Sequence, residues 1–316
     1  MANEAADLAA RVRKELAKVI VGQHDALDQL LLVLLAGGHA LVEGVPGIAK
    51  TLAVKTIAHI FQLGFQRVQC TPDLMPADVL GANVFHLDTG TFTLHRGPIF
   101  TDLLLVDEIN RTPPRTQSAL LEAMEERQVT IDGASQPLSS SFTVFATQNP
   151  IEFEGTYPLP EAQLDRFLVK IRAGYPEPEQ EMEILRKFQE GFDPHQLDRA
   201  GLLRLDAAAL AAARQETARV RVEPTLFRYI AAITGRTRNW PTVSLGASPR
   251  ATVNLMLFAK AVAAVSGRDY LIPDDVKAAA LPVLRHRLIL KPEADLEGMT
   301  AEQAIEEVIA SVEVPA

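Results

Sequence analysis

The stretch "LVEGVPGIAKTLAVK" (residues 41–55) decides the fold of this chain. From Gly44 to Thr51 it follows the phosphate-binding pattern G-x-x-x-x-G-K-[ST], except that Ala49 stands where the second glycine belongs. In such a loop, backbone amides near a helix N-terminus surround a phosphate, while Lys50 and the Thr51 hydroxyl reach its oxygens and a metal ion. We expect Ala49 to be tolerated if its φ is negative, because it then adds only a methyl group.

The surroundings of this loop predict a parallel sheet. Short apolar runs typical of buried strands occur at residues 39–43, 65–69, 102–108, 142–147 and 167–172. The first of them precedes the loop and a predicted helix over 50–61 follows it, which is the order that a phosphate loop requires. Helical periodicity before and between the strands completes an α/β pattern.

Two further segments and the C-terminal half depart from this alternation. Residues 83–95 and 128–138 each carry alternating residues around a Thr-Gly or Asp-Gly turn, so they predict β-hairpins inserted into the α/β domain. After a Pro-containing hinge at 173–180, alanine and leucine recur at helical spacing. We therefore predict a nucleotide-binding core over residues 1–174 and a helical lid domain over residues 175–316.

Composition excludes several classes of protein. The chain has 316 residues, of which 47% are hydrophobic and 22% charged, as expected for a globular protein. The formal charge of −9 gives no overall attraction for nucleic acid. A single cysteine cannot form an internal disulfide, and the longest apolar run (residues 30–43) is interrupted and too short to cross a bilayer. We expect a cytoplasmic protein that neither inserts into membranes nor binds nucleic acid.

Polar residues at the ends of two predicted strands supply the remaining chemistry. In "LLLVDEINR" (103–111), Asp107 and Glu108 follow four apolar residues, so both lie at the carboxyl edge where ligands of α/β sheets bind. One carboxylate can join a Mg²⁺ shell while the other polarises water. Asn149, after the strand in "FATQNP" (145–150), can hydrogen-bond the attacking water or the γ-phosphate. Together with the loop, these residues predict hydrolysis of a nucleoside triphosphate.

Four blocks in this order resemble the MoxR family of AAA+ ATPases. They are "GVPGIAKT" (44–51), "LLLVDEINRTPPRTQSALLEAMEERQVT" (103–130), "FATQNPIEFEGTYPLPEAQLDRF" (145–167) and "SLGASPRA" (244–251). The resemblance extends from about residue 21 to 290. Alanine is common in that family at the position of Ala49, so the apparent defect is a variant of the motif.

The resemblance implies roles for the residues of the cleft. Lys50 and Thr51 correspond to the Walker A lysine and metal-binding threonine, Asp107 and Glu108 to the Walker B metal-shell acid and catalytic base, and Asn149 to sensor 1. The residues implied to contact ATP are Val21, Gly22, Gln23, Gly44, Val45, Pro46, Gly47, Ile48, Ala49, Lys50, Thr51, Leu52 and Asp107. The implied ligands of Mg²⁺ are Thr51 and Asp107.

Two arginines receive roles only through the resemblance. Arg166 in "QLDRF" falls where the arginine finger acts across a subunit boundary, and Arg250 in "GASPRA" falls where the lid supplies the sensor-2 arginine. From the residues alone, Arg166 could equally form a surface ion pair, and Arg250 could occupy a first helical turn with no ligand near. The hairpins correspond to inserts that in relatives face a central pore or remodelled partners.

The family implies an ATP- and Mg²⁺-dependent machine with chaperone-like activity. It further implies a homo-oligomeric ring, with six subunits expected, a partner containing a von Willebrand factor A-domain, and clients whose maturation includes metal-cofactor insertion. A chelatase-type motor subunit for metal insertion into a small molecule and a nucleotide-gated binding module are alternatives. A nucleic-acid motor is disfavoured by the acidic charge.

Overall fold

A computed structural model describes residues 4–45, 47–149 and 155–315 of the chain. The strands are β1 (Ala40–Gly44), β2 (Phe65–Gln69), β3 (Gly81–His86), β4 (Thr91–Arg96), β5 (Leu103–Asp107), β6 (Gln128–Ile131), β7 (Ala134–Pro137), β8 (Thr143–Gln148), β9 (Val169–Ala173), β10 (Val243–Leu245) and β11 (Ile289–Leu290). The helices are α1 (Glu4–Val19), α2 (His24–Ala36), α3 (Lys50–Ile60), α4 (Pro76–Leu80), α5 (Pro114–Glu126), α6 (Glu161–Leu164), α7 (Pro178–Gln189), α8 (Ala207–Arg219), α9 (Pro224–Thr237), α10 (Pro249–Val265), α11 (Pro273–Leu284), α12 (Pro292–Leu296) and α13 (Ala301–Ser311). Short 3₁₀ turns occupy Ile109–Arg111 and Leu197–Ala200.

The five predicted strands form one parallel sheet in the order β2-β5-β8-β1-β9. Both faces of the sheet are covered, so alternate residues of a strand enter different cores. Leu103 and Leu105 of β5 belong to the core that includes α1, α2 and α3, whereas Leu104 and Val106 belong to the core that includes α5. This double burial explains why the central strands are continuous apolar runs rather than alternating ones. The predicted α/β core is confirmed.

Both predicted hairpins are present. β3 and β4 pair antiparallel from Gly81 opposite Arg96, and β6 and β7 pair around a turn whose Asp132 and Gly133 have positive φ. The Asn83 side chain donates to Asp132 at 2.8 Å, which joins the two hairpins. They are therefore neighbours in space on one side of the sheet.

The C-terminal region is helical, with one short antiparallel pair, β10 and β11, added to the predicted helices. Its α8 and α10 pack on α1 and α2, and one hydrophobic core continues through these helices and the adjoining face of the sheet. The division at residues 174 and 175 remains a prediction, because apolar packing crosses it. No helix in the described part of the chain is long and apolar enough to span a bilayer.

A buried histidine joins three elements at the amino-terminal edge of the sheet. The Val144 amide donates to His39 Nδ1 at 2.9 Å, so Nε2 carries the proton and donates to the Met124 carbonyl at 3.1 Å. Burial disfavours the imidazolium and lowers the pKa of His39 to about 4. The neutral ring is therefore part of the folded structure. His286 is also buried, and its pKa is lowered by the same cause.

We predict a loss of stability on mild acidification. Below the unfolded pKa of about 6.5, these histidines bind protons in the unfolded chain but stay neutral in the folded chain. Each histidine therefore lowers the free energy of unfolding by up to about 1.4 kcal/mol for each pH unit of acidification. Urea denaturation from about pH 7 to pH 5 measures this slope. His39→Gln should reduce the slope, and substitution of the exposed His195 by Gln is the control. Parallel profiles for His39→Gln and the unsubstituted chain would contradict this role.

Candidate functional site

A cleft of about 510 Å³ opens at the carboxyl edge of the sheet, between the loop after β1 and α7. The sequence-predicted residues on its wall are Val21, Gln23, Gly47, Ile48, Ala49, Lys50, Thr51, Leu52, Asp107, Glu108 and Asn149. Gly22, Gly44 and Val45 adjoin the wall in the chain without lining it. Pro46 lies outside the described residues. Residues distant in the chain thus meet around one space.

The phosphate loop turns through two residues of left-handed backbone. Gly47 has φ of 83° and Ala49 has φ of 62°. The condition of a negative φ, under which Ala49 was expected to add only a methyl group, is therefore not met, because Ala49 caps α3 in a left-handed conformation and its carbonyl accepts from the Ala53 amide at 2.9 Å. This conformation costs a non-glycine residue about 1–2 kcal/mol. The loop keeps the geometry of the glycine motif and stores strain at the alanine.

Lys50 crosses this loop and faces the acidic pair. Its Nζ donates to the Gly44 carbonyl at 2.6 Å. Burial lowers the pKa of Lys50, and attraction to Asp107 and Glu108 opposes that shift. A half-buried ammonium that faces carboxylates suits contact with phosphate oxygens, because little water competes for it.

Asp107 is buried at the end of β5 and held by residues of both neighbouring strands. Arg67 Nε on β2 contacts Asp107 Oδ2 at 2.6 Å. The Thr147 hydroxyl on β8 donates to Asp107 Oδ1 at 3.1 Å and accepts from the Glu108 amide at 2.9 Å. Arg67 and Thr147 could not be predicted from the sequence, because only the pairing of their strands with β5 brings them to Asp107.

Glu108 projects from left-handed backbone, with φ of 58° and ψ of 52°. This strained conformation separates its direction from that of Asp107. The Gln69 amide donates to Glu108 Oε2 at 3.1 Å, and Arg111 NH1 contacts the same oxygen at 3.1 Å. The two adjacent acids thus have different partners, as two different roles require. Asn149 is buried at the end of β8 and lines the same part of the cleft.

The opposite end of the cleft is apolar. Val19, Ile20 and Val21 face Ile184 and Phe188 across it. Such a slot suits a planar base, because aromatic and aliphatic side chains bind its faces while little polar surface is buried. In the sequence, the spacing of Ile184 and Phe188 indicates only an amphipathic helix, so their position in the cleft could not be predicted.

Polar contacts join α7 to α1, and the residue before α2 to the residue after β9. Lys187 Nζ donates to the carbonyls of Ala17 and Lys18 at 3.0 and 2.9 Å. The Gln23 side chain donates to the Gly174 carbonyl at 2.7 Å.

Arg166 and Arg250 lie together, away from this cleft. Neither is among the described residues that line it. Arg166 Nε is 3.1 Å from Glu125 Oε2, and Arg250 pairs with the other oxygen of the same carboxylate. The structure therefore joins these arginines to each other through Glu125 on α5, and it does not bring them to Lys50 of their own chain.

The cleft fits a nucleoside triphosphate with Mg²⁺. Its wall combines an apolar slot, the phosphate loop with Lys50, and the Thr51 hydroxyl with two carboxylates. Hydroxyl and carboxylate oxygens are the ligands that Mg²⁺ prefers, and the ion takes the rest of its shell from phosphate and water. These three sets of groups suit a base, phosphates and a metal ion respectively.

Family models match both parts of the chain. The model described as "ATPase family associated with various cellular activities (AAA)" matches residues 39–169, and the AAA lid domain matches residues 228–308. A solved structure of a Cytophaga hutchinsonii protein assigned as an ATPase superposes with a TM-score of 0.89 at 39% identity, over 99% of this chain and 97% of that one. The chain is therefore a nucleotide-binding, ATP-hydrolysing enzyme of the AAA class.

Curated relatives narrow the class. The chain is 46% identical to YeaC of Bacillus subtilis, over 94% of this chain and 92% of that protein. It is 44% identical to Chaperone MoxR1 of Mycobacterium tuberculosis, over 95% and 81%. It is 31% identical to MoxR of Methylorubrum extorquens, over 90% and 89%. The chain belongs to the MoxR family of AAA+ ATPases, which confirms the resemblance.

We predict that Ala49→Gly stabilises the fold by about 1 kcal/mol, because glycine adopts left-handed backbone without a steric penalty. Ala58→Gly, in the middle of α3, is the matched control and should destabilise by about 1 kcal/mol or more. Urea denaturation measures both variants. A loss of stability in Ala49→Gly equal to that in Ala58→Gly would show that the alanine is not strained.

Proposed function

We propose that this chain couples Mg²⁺-dependent ATP hydrolysis to the remodelling or maturation of partner protein complexes, as a subunit of a homo-oligomeric ring. The observation that carries the proposal is the convergence of Lys50, Thr51, Asp107 and Glu108 on one cleft with an apolar slot. Membership of the MoxR family supports the same chemistry.

Each wall of the cleft has a part in the proposed reaction. The base lies in the apolar slot, the loop amides and Lys50 bind the β- and γ-phosphates, and Thr51 and Asp107 hold Mg²⁺, which neutralises charge on the phosphates. Glu108 accepts the proton of the attacking water, and Asn149 orients that water. The strained backbone at Glu108 directs this carboxylate apart from Asp107, so one acid serves the metal and the other the water.

Positive charge for the transition state comes from a second subunit in this proposal. Among the described residues lining the cleft, Arg67 is paired with Asp107, and Lys187 is bonded to carbonyls of α1 on the apolar side. Lys50, whose Nζ donates to the Gly44 carbonyl within the phosphate loop, is then the cation that faces the phosphates. Arg166 and Arg250 are partly exposed and lie together elsewhere on the surface. They can therefore serve the cleft of a neighbour, where an arginine finger raises the rate by about 10³ to 10⁵.

The proposed output is chaperone-like. A relative at 44% identity is named a chaperone. The β3–β4 hairpin exposes Val84, Phe85, Leu87 and Phe92, with Leu87 91% exposed, which is apolar surface suited to transient contact with a client. A six-subunit ring in the cytoplasm, a partner with a von Willebrand factor A-domain and clients that receive metal cofactors are the finer parts of this proposal, and they follow from the family.

Partner capture tests the proposal. Glu108→Gln should bind ATP, release no phosphate in steady state and retain its partner, because hydrolysis is blocked after assembly. Lys50→Ala, which removes the phosphate-binding ammonium, is the control and should retain none. The measurements are phosphate release, identification of captured proteins and a count of subunits in negative-stain images.

An A-domain protein retained only by Glu108→Gln in ATP would support the proposal. Capture of a chelatase catalytic subunit would instead assign the motor to metal insertion into a small molecule. Steady-state phosphate release by Glu108→Gln equal to that of the unsubstituted chain would contradict the role of this acid.

A further inference from the structure

A partly buried polar cluster adjoins the two arginines. Its centre is Asp165, the residue before Arg166. Arg287, which follows α11, places Nε 2.7 Å from Asp165 Oδ1. The Ser248 hydroxyl, at the start of α10, donates to Asp165 Oδ2 at 2.8 Å. One carboxylate thus joins the α6–β9 segment to two helices of the C-terminal region.

Arg287 uses all five of its N–H donors in this cluster. Besides Asp165 Oδ1, NH1 donates to the carbonyls of Leu168, at 3.2 Å, and Val283, and NH2 donates to those of Asp165, at 3.0 Å, and Phe167. Its side chain is 2% exposed. A planar guanidinium with five satisfied donors has one orientation, so it fixes the backbone of residues 165–168 against α11.

Ser248 carries the same constraint to Arg250. Its hydroxyl oxygen accepts from the Ala251 amide at 3.1 Å and so caps α10, in addition to donating to Asp165. Pro249 follows with a fixed φ, and Arg250 comes next in the first helical turn. Arg166 adjoins Asp165 directly. The backbones of both arginines therefore depend on one carboxylate.

Beyond this cluster, the guanidinium ends of Arg166 and Arg250 have an exchangeable partner. Glu125 accepts from both arginines, and the three side chains are 30% to 40% exposed. Ion pairs with this exposure contribute about 1 kcal/mol or less, so a phosphate of higher charge can replace Glu125 at little cost. The bases of the two side chains are fixed while their tips can change partner.

We propose that Asp165, Arg287 and Ser248 are positioning residues that present Arg166 and Arg250 as one unit to the phosphates bound by a neighbouring subunit. This inference rests on the proposed function of the two arginines. Two guanidinium groups repel each other, so bringing them together during the reaction would cost free energy. A pair that is held side by side before the phosphates bind needs no such reorganisation during hydrolysis. The repulsion between the two guanidinium groups is offset when the cluster forms on folding, and not during hydrolysis.

Ser248→Asp tests the positioning role. An aspartate still caps α10, but it cannot donate to Asp165 and brings a second carboxylate against it. We expect kcat to fall about tenfold or more and KM for ATP to stay within about twofold, because the chain's own cleft is unchanged. Thr300→Asp makes the same change at the cap of α13, outside the cluster, and should leave kcat unchanged. Ser248→Ala, which adds no charge, is the second variant, with a smaller loss in kcat.

A double-mutant cycle separates positioning from general damage. In an Arg250→Ala background, Ser248→Asp should lower kcat by less than about twofold, because Ser248 caps the helix that carries Arg250, while Arg287 still holds the carbonyls on both sides of Arg166. An equal loss in both backgrounds, or an unchanged kcat after both Ser248 substitutions, would overturn the positioning role while leaving the proposed function intact. An unchanged kcat in Arg250→Ala alone would remove Arg250 from the proposed function and overturn this inference with it.

Discussion

The parallel pairing of β1, β5 and β8 is the constraint on which the site depends. Because all three strands run in one direction, the loop after β1, the acids after β5 and Asn149 after β8 emerge at the same edge. The register across β5 and β8 then places the Thr147 hydroxyl between Asp107 and the Glu108 amide. Apolar burial on both faces fixes that register, so the chemistry of the cleft is a consequence of core packing.

Two residues with strained backbone lie where the strands meet the cleft. Ala49 and Glu108 both have left-handed backbone, which a non-glycine residue adopts at a cost of about 1–2 kcal/mol. At Ala49 the strain shapes the loop, and at Glu108 it separates the directions of two adjacent carboxylates. The buried sheet and the long apolar core hold both conformations in place.

Sequence reasoning succeeded where the signal is local and failed where it depends on tertiary pairing. Lys50 lies in the loop after one apolar run, and Asp107 and Glu108 directly follow another. The strands, the loop and the acids can therefore be predicted together from local sequence. Arg67 and Thr147 contact Asp107 only because their strands flank β5. The backbone conformation of Ala49 could not be predicted, since the local sequence is compatible with either sign of φ.

The C-terminal half shows the same limit. Its helices were predicted from their periodicity, yet Arg287 in "LRHRL" (284–288) reads as an ordinary helical cation. Its partner Asp165 lies 122 residues away in sequence. Glu125 likewise reads as a solvated residue on α5, and its contact with Arg166 and Arg250 requires three elements to meet. The surface that carries Arg166 and Arg250 is therefore defined by contacts between helices and strands, and not by the sequence pattern within any one of them.

In the proposed function, ATP held by one subunit is hydrolysed with arginines from another. Mixing two inactive variants measures this most directly: Arg166→Ala retains the cleft residues, and Glu108→Gln retains the arginines. We expect each variant to bind ATP without turnover and the mixture to release phosphate, because some subunit boundaries then combine an intact cleft with intact arginines. A mixture that stays inactive at every ratio, although the two variants assemble together and bind ATP, would contradict the account.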